Sequence, residues 1–154
     1  MRTAQEYGLP DGNTQTTAYG VNRVHHTDGS VETVSDEYQR NPETDKGVRR
    51  HKGIDYSSTD ASGKPGPLDF STPVGGTVTY TPNDPWNTVT VTTDAGETMI
   101  YRHASEVFVK TGQRVSPGTK IGKTGNTAPA PVPIQLHVEA TDKDGNPIDP
   151  NTVR

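Results

Sequence analysis

Thr88-Val89-Thr90-Val91-Thr92 alternates a β-branched polar residue with a β-branched apolar one over five positions. Successive side chains of a strand point to opposite faces, so Val89 and Val91 share one side and the threonines the other, as a half-buried antiparallel strand requires. Turn chemistry flanks this stretch, with Pro82-Asn83-Asp84-Pro85 before it and Asp94-Ala95-Gly96 after it. Further out, strand signals recur at short intervals over residues 53–56, 76–80, 98–102, 120–122 and 134–140. The expected fold class is all-β: a compact antiparallel sheet or sandwich with long loops and little helix, at most one helical turn over residues 104–107. The run Ala128-Pro129-Ala130-Pro131-Val132-Pro133 reads as a stiff extended loop.

Composition supports many short elements joined by turns. Only 27% of the 154 residues are hydrophobic, while 16 Gly and 13 Pro punctuate the chain, a length that fits one domain. Residues 1–45 are polar with no sustained period and read as an irregular N-terminal wrap, with one short hairpin turning at Asp28-Gly29; residues 46–154 carry the strand signals. A net charge of −4 leaves no footprint for nucleic acid, and the one short cationic stretch spans residues 46–52. No window approaches a membrane span, and residues 1–10 have none of the apolar character of a secretory leader. With no cysteine, any metal must be held by His, Asp or Glu.

Three segments can carry such chemistry. In His51-Lys52-Gly53-Ile54-Asp55, an imidazole and a carboxylate four residues apart can converge on one ion where the chain turns at Gly53, although a surface histidine beside a turn has the same signature. In Gln135-Leu136-His137-Val138-Glu139, the three polar residues share one strand face opposite Leu136 and Val138, which suits the floor of a cleft as well as a hydrogen-bonded scaffold. In Tyr101-Arg102-His103, the histidine follows a strand end, from which it can project into a site or simply occupy a loop.

In their order along the chain these segments resemble the lysostaphin/LytM family of zinc metallopeptidases. The family pattern of His-x-Gly-x-Asp, Gly-x-Val, aromatic-x-His, Val-x-x-Gly-Gln-x-Val, Gly-x-x-Gly-Asn-Thr and a closing His-x-His is matched by residues 51–55, 76–78, 101–103, 109–115, 122–127 and 135–137. The resemblance implies a LytM-like fold of duplicated hybrid motif type and a zinc-dependent peptidoglycan endopeptidase, with His51, Asp55 and His137 as zinc ligands. It implies that His103 acts beside the metal as a general base or oxyanion donor.

The closing motif departs from the family at its first position, where Gln135 stands in place of a histidine. A glutamine amide donates and accepts hydrogen bonds but takes up no proton. Zinc binding should survive that change, while catalysis leans on His103. Two other readings follow from the same scaffold: a non-catalytic wall-binding or partner-activating module, and an amidase cutting between glycan and stem. The expected partner is bacterial cell wall, reached in the periplasm or outside the cell through a phage particle, a secretion machine or a leader since removed. His25 and His26 fit a solvated hairpin, or one of them folds over the cleft to replace the imidazole missing at Gln135. Trp86 can stack on a glycan or cap a core edge, and Glu139 can orient His137 or face solvent.

Overall fold

A computed structural model describes residues 2–129 and 132–154. Its strands are β1 (Gln15–Thr17), β2 (Asn22–His26), β3 (Val31–Val34), β4 (Asp45–Arg50), β5 (Gly53–Ser57), β6 (Asp69–Ser71) and β7 (Gly76–Tyr80). β8 (Val89–Thr92), β9 (Thr98–Arg102), β10 (Glu106–Val107), β11 (Arg114–Val115), β12 (Lys120–Lys123) and β13 (Gln135–Thr141) complete the set. Two short 3₁₀ turns, Ala4–Tyr7 and Pro150–Thr152, are the helical elements among the described residues. The all-β expectation holds.

Seven strands form the main antiparallel sheet in the order β1-β5-β13-β9-β8-β7-β11. The alternation that predicted β8 is realised, with Val89 and Val91 fully buried and Thr90 and Thr92 half-buried. β13 repeats it over seven residues: Leu136, Val138 and Ala140 are buried while Gln135, His137 and Glu139 lie on the opposite face. Fully burying one such aliphatic side chain contributes about 1.5–3 kcal/mol, so the apolar face fixes the register that aims the polar one. Beneath the sheet, Tyr7, Tyr56, Phe70 and Tyr101 pack as an aromatic cluster, with ring centroids 5.1 to 6.3 Å apart. A three-stranded sheet, β10-β12-β6, closes this core with Phe70 and Ile121.

Residues 1–45 hold more regular structure than their polarity suggested. The expected hairpin exists as β2 and β3 around Asp28-Gly29, and β4 pairs with the other edge of β2 to make a sheet in the order β3-β2-β4. This sheet buries little, with Val24 its one fully buried apolar side chain, so no apolar alternation announced it. The helical turn expected over residues 104–107 is corrected: Glu106 and Val107 form β10, because their backbone pairs with Lys123 and Gly122. Of the stretch read as a stiff loop, residues 130 and 131 lie outside the described residues.

Candidate metal centre

β5 and β13 pair antiparallel, with Asp55 directly opposite His137. Both residues use the polar face of the sheet, and the contact is short: His137 Nδ1 lies 2.5 Å from Asp55 Oδ1. His51 sits just before β5, where its amide donates to Val21 O and its carbonyl accepts from Gly20 N, each at 2.8 Å. Its ring lies 3.0 Å from Ala18 O through Nδ1. A carbonyl only accepts, so Nδ1 carries the proton and Nε2 offers a lone pair. That Nε2 lies 3.4 Å from Asp55 Oδ2 and, although buried, has no hydrogen-bond partner.

The glycine between these two residues is required by the same packing. A Cβ on Gly53 would stand 2.5 Å from Val138 O and 2.9 Å from His137 Cε1, inside the contact limit of both. The His-x-Gly-x-Asp spacing therefore leaves room for the imidazole of the neighbouring strand.

One donor atom from each of His51, Asp55 and His137 lies within 4.8 Å of the other two. Two imidazole nitrogens and a carboxylate oxygen are a donor set suited to a divalent transition metal. The orphaned His51 Nε2 is the test of fit, since a buried acceptor without a partner is costly unless something is bound there. Without metal, a proton fills part of that role. Burial disfavours a charged His137, but hydrogen bonds and charges from Asp55 and Glu139 outweigh it and raise its pKa to about 9. Burial would raise the Asp55 pKa, yet His137, His51 and the Arg23 guanidinium together hold it below its ordinary value.

His103 enters from the end of β9 with its backbone at φ 69°, a left-handed conformation uncommon for a side-chain-bearing residue and frequent at functional sites. Its amide donates to Trp86 O at 2.7 Å, and Nδ1 lies 2.9 Å from Thr127 O, which leaves Nε2 as the acceptor. Its ring centroid is 5.4 Å from that of His137. Burial lowers its pKa, with the charges of His137 and Arg102 adding to the effect against the opposing Thr127 carbonyl and Asp55. A neutral imidazole at pH 7 is the form that accepts a proton.

Gln135 shares the strand face of His137 but takes a different position. Its backbone bonds Gly125 O at 3.1 Å, and its side-chain amide makes no hydrogen bond to any described residue. A cleft of about 770 Å³ opens on the other side of His137, floored by His51, His137 and Glu139 and reaching His103. One wall is the β2–β4 sheet with Arg23, His25, Arg49 and Arg50, continued by Lys52; the other holds Trp86 and Arg102. His25 thus lines the cleft, whereas His26 is held between Asp45 at 2.6 Å and Glu32 at 3.0 Å. Glu139 turns inward: it accepts from Arg102 Nε and lies 3.6 Å from His137 Nε2. That contact orients His137 so that Nδ1 faces Asp55. Arg102 also lies over the Trp86 ring, 5.2 Å from its centroid. Beyond the cleft, Asp142 accepts from the amides of Asp144 and Asn146 at 2.9 Å and closes a turn.

Sequence reasoning missed that Arg49, Arg50 and Arg102 line this cleft. The cationic stretch at residues 46–52 was visible, but not that β4 forms one wall of the cleft above His51, Asp55 and His137. Arg102 falls opposite His137 only through the pairing of β9 with β13.

Comparison with known proteins gives the family and the fold. The sequence profile of Peptidase family M23 matches residues 49–150. The chain is 38% identical over 81 residues to the peptidoglycan DD-endopeptidase ShyA of Vibrio cholerae, covering 46% of this chain and 19% of ShyA, so it spans about a fifth of that relative's length. Among solved structures, the catalytic domain of the prophage-encoded M23 protein EnpA from Enterococcus faecalis, in a mutant form, aligns with a TM-score of 0.63 at 17% identity over 94% of this chain and 93% of its own. A zinc-containing peptidase from Vibrio cholerae aligns with a TM-score of 0.66 at 21% identity over 99% and 40% of the two chains. At these identities the structural likeness establishes the fold.

Proposed function

The chain belongs to Peptidase family M23, a family of metallopeptidases, and from that premise we propose that it is a zinc-dependent endopeptidase cutting amide bonds in the peptide stems or cross-bridges of bacterial cell wall. The observation that carries this reading is the convergence of His51, Asp55 and His137 on a point that leaves a buried imidazole nitrogen without a partner. These three residues would hold the ion. Bound there, zinc would acidify a water and polarise a peptide carbonyl.

The chain's own groups divide the remaining work. His103 Nε2 is free to take the proton of the attacking water and return it to the leaving amine, because Thr127 O holds the other ring nitrogen as a donor. Gln135 can donate a hydrogen bond to the developing oxyanion but moves no proton. Arg102 and Glu139 fix the His137 ring through its Nε2 side. No described helix is long and apolar enough to cross a membrane, and the proposed place of action is the wall itself.

Digestion of purified cross-linked peptidoglycan, with and without chelator and read by product mass, tests the proposal. Cleavage of peptide cross-links that stops with chelator and is abolished in His103→Ala is expected. Release of intact stem peptides would mark an amidase. Gln135 favours a second reading, a non-catalytic wall-binding module, and zinc-loaded protein that binds walls but leaves every cross-link whole would establish that instead.

A further inference from the structure

The wall of the cleft formed by β2 and β4 departs from ordinary strand chemistry. Arg23 and Arg49 are direct cross-strand partners, and Asn22 faces Arg50. Like charges opposite each other in a ladder are destabilising, and their retention on one short, weakly buried sheet calls for a compensating role. Five of the residues lining the cleft are Lys or Arg, namely Arg23, Arg49, Arg50, Lys52 and Arg102, against one carboxylate, Glu139. The whole chain nevertheless carries a net charge of −4.

Two of these cations are engaged: Arg102 by Glu139, and Arg23 by Asp55 at 3.8 Å. Arg49, Arg50 and Lys52 make no ion pair with any described residue and are exposed. Of these, Arg49 acts on His25 of the same wall, whose pKa is lowered by burial and then by Arg49, Arg23 and Lys46. An electropositive wall beside a metal centre concentrates anionic groups and discriminates against neutral ones. Guanidinium groups in particular match the planar geometry of carboxylates.

We infer that the β2–β4 wall selects, as substrate, stem-peptide cross-links that carry free carboxylates, gripping them through Arg49, Arg50 and Lys52 while the scissile amide lies over His51, Asp55 and His137. The inference rests on the endopeptidase reading and narrows it. Cross-links made directly between stems place ionised carboxyls within a few residues of the scissile bond, whereas a bridge of glycines is neutral along its length. Amidation of the stem carboxyls removes the charge with little change in shape, which isolates the recognised feature. Phosphate-rich wall polymers would also be drawn to these cations, but the geometry favours a peptide, since the charges flank the site that would cut one.

The test uses the full zinc-loaded chain and two matched cross-linked muropeptides, one with free carboxyls and one amidated at the same positions. Binding is read by calorimetry and hydrolysis by product mass. The carboxylate form is expected to bind about fivefold or more tighter than the amidated one, as two or three exposed ion pairs allow. The preference should shrink toward unity in the double variant Arg49→Gln, Arg50→Gln, and should weaken as salt is raised. Hydrolysis of both forms with equal KM, or an unchanged preference in the double variant, overturns the inference while leaving the endopeptidase reading intact. Charge-selective binding without hydrolysis of either form sustains the carboxylate grip of Arg49, Arg50 and Lys52 and overturns its role in substrate selection together with the endopeptidase reading. Binding of neither peptide, with a glycerol phosphate polymer bound instead, overturns it in favour of an anionic polymer.

Discussion

Gln135, on the strand face of His137, and His103, 5.4 Å from the His137 ring, have side chains that differ in the property proton transfer uses. An imidazole changes its charge near neutral pH, and an amide does not. Gln135→His is therefore expected to raise kcat for muropeptide hydrolysis by about tenfold or more, within the range that a positioned acid or base contributes. Zinc content, measured by elemental analysis, should stay the same, because Gln135 is not among the three converging donors. A second expectation concerns His137, whose pKa is raised to about 9 in the absence of metal. An ion must displace that proton, so apparent zinc affinity should fall about tenfold for each pH unit below 9 until further donors titrate, as measured by competition with a buffered chelator. At this scale the convergence of His51, Asp55 and His137 was legible because each sits in a short motif with fixed spacing. Glu139 was only half legible. Its inward turn depends on Arg102, a residue of another strand that no local pattern connects to it.

Among the elements, the β3-β2-β4 sheet carries a cleft wall while burying little, so its rigidity must come from polar contacts. Asp45, 1% exposed, accepts from Tyr38 Oη at 2.5 Å and from Asn41 N at 2.9 Å, and it holds His26 at 2.6 Å. The Tyr38 and Asn41 bonds lower the Asp45 pKa from 3.8 to about 2. Burial opposes charge on His26, but the hydrogen bonds to Glu32 and Asp45 outweigh it and raise its pKa above 6.5. The raised group stabilises fully below pH 6.5 and loses that contribution as pH climbs through its folded pKa. The depressed one stabilises above pH 3.8 and loses its contribution as pH falls toward about 2. Hydrogen exchange of the β2 and β4 amides should therefore be slowest between about pH 4 and 6.5 after correction for intrinsic rates, and His26→Ala should flatten the alkaline side. The main-sheet strands were legible because one face is apolar, as in β8. β4 was not, since nearly all of its side chains are exposed and its strand character comes from pairing alone. The same holds for β10, two residues whose edge pairing with β12 overrides the expected helical turn.

For the molecule as a whole, an ion bound at the floor of the cleft would tie the segment before β5 to the paired strands β5 and β13. Ligands that bind only the native state stabilise it by mass action, about 2.7 kcal/mol at a hundredfold excess over Kd. Zinc at that level should raise the thermal midpoint of the full chain, and His51→Ala should abolish the increment. The order of strands has a further consequence, in the timing of synthesis. β13 lies between β5 and β9 at the middle of the main sheet, yet twelve of the thirteen strands precede it in sequence. Until it inserts, β1 with β5 and the β9-β8-β7-β11 group are two unjoined halves, and His137 has not met Asp55. A polypeptide still emerging from the ribosome before residue 135 thus lacks both the strand that joins those halves and one of the three side chains that converge at the floor of the cleft. Shape and chemistry are completed in a single late event.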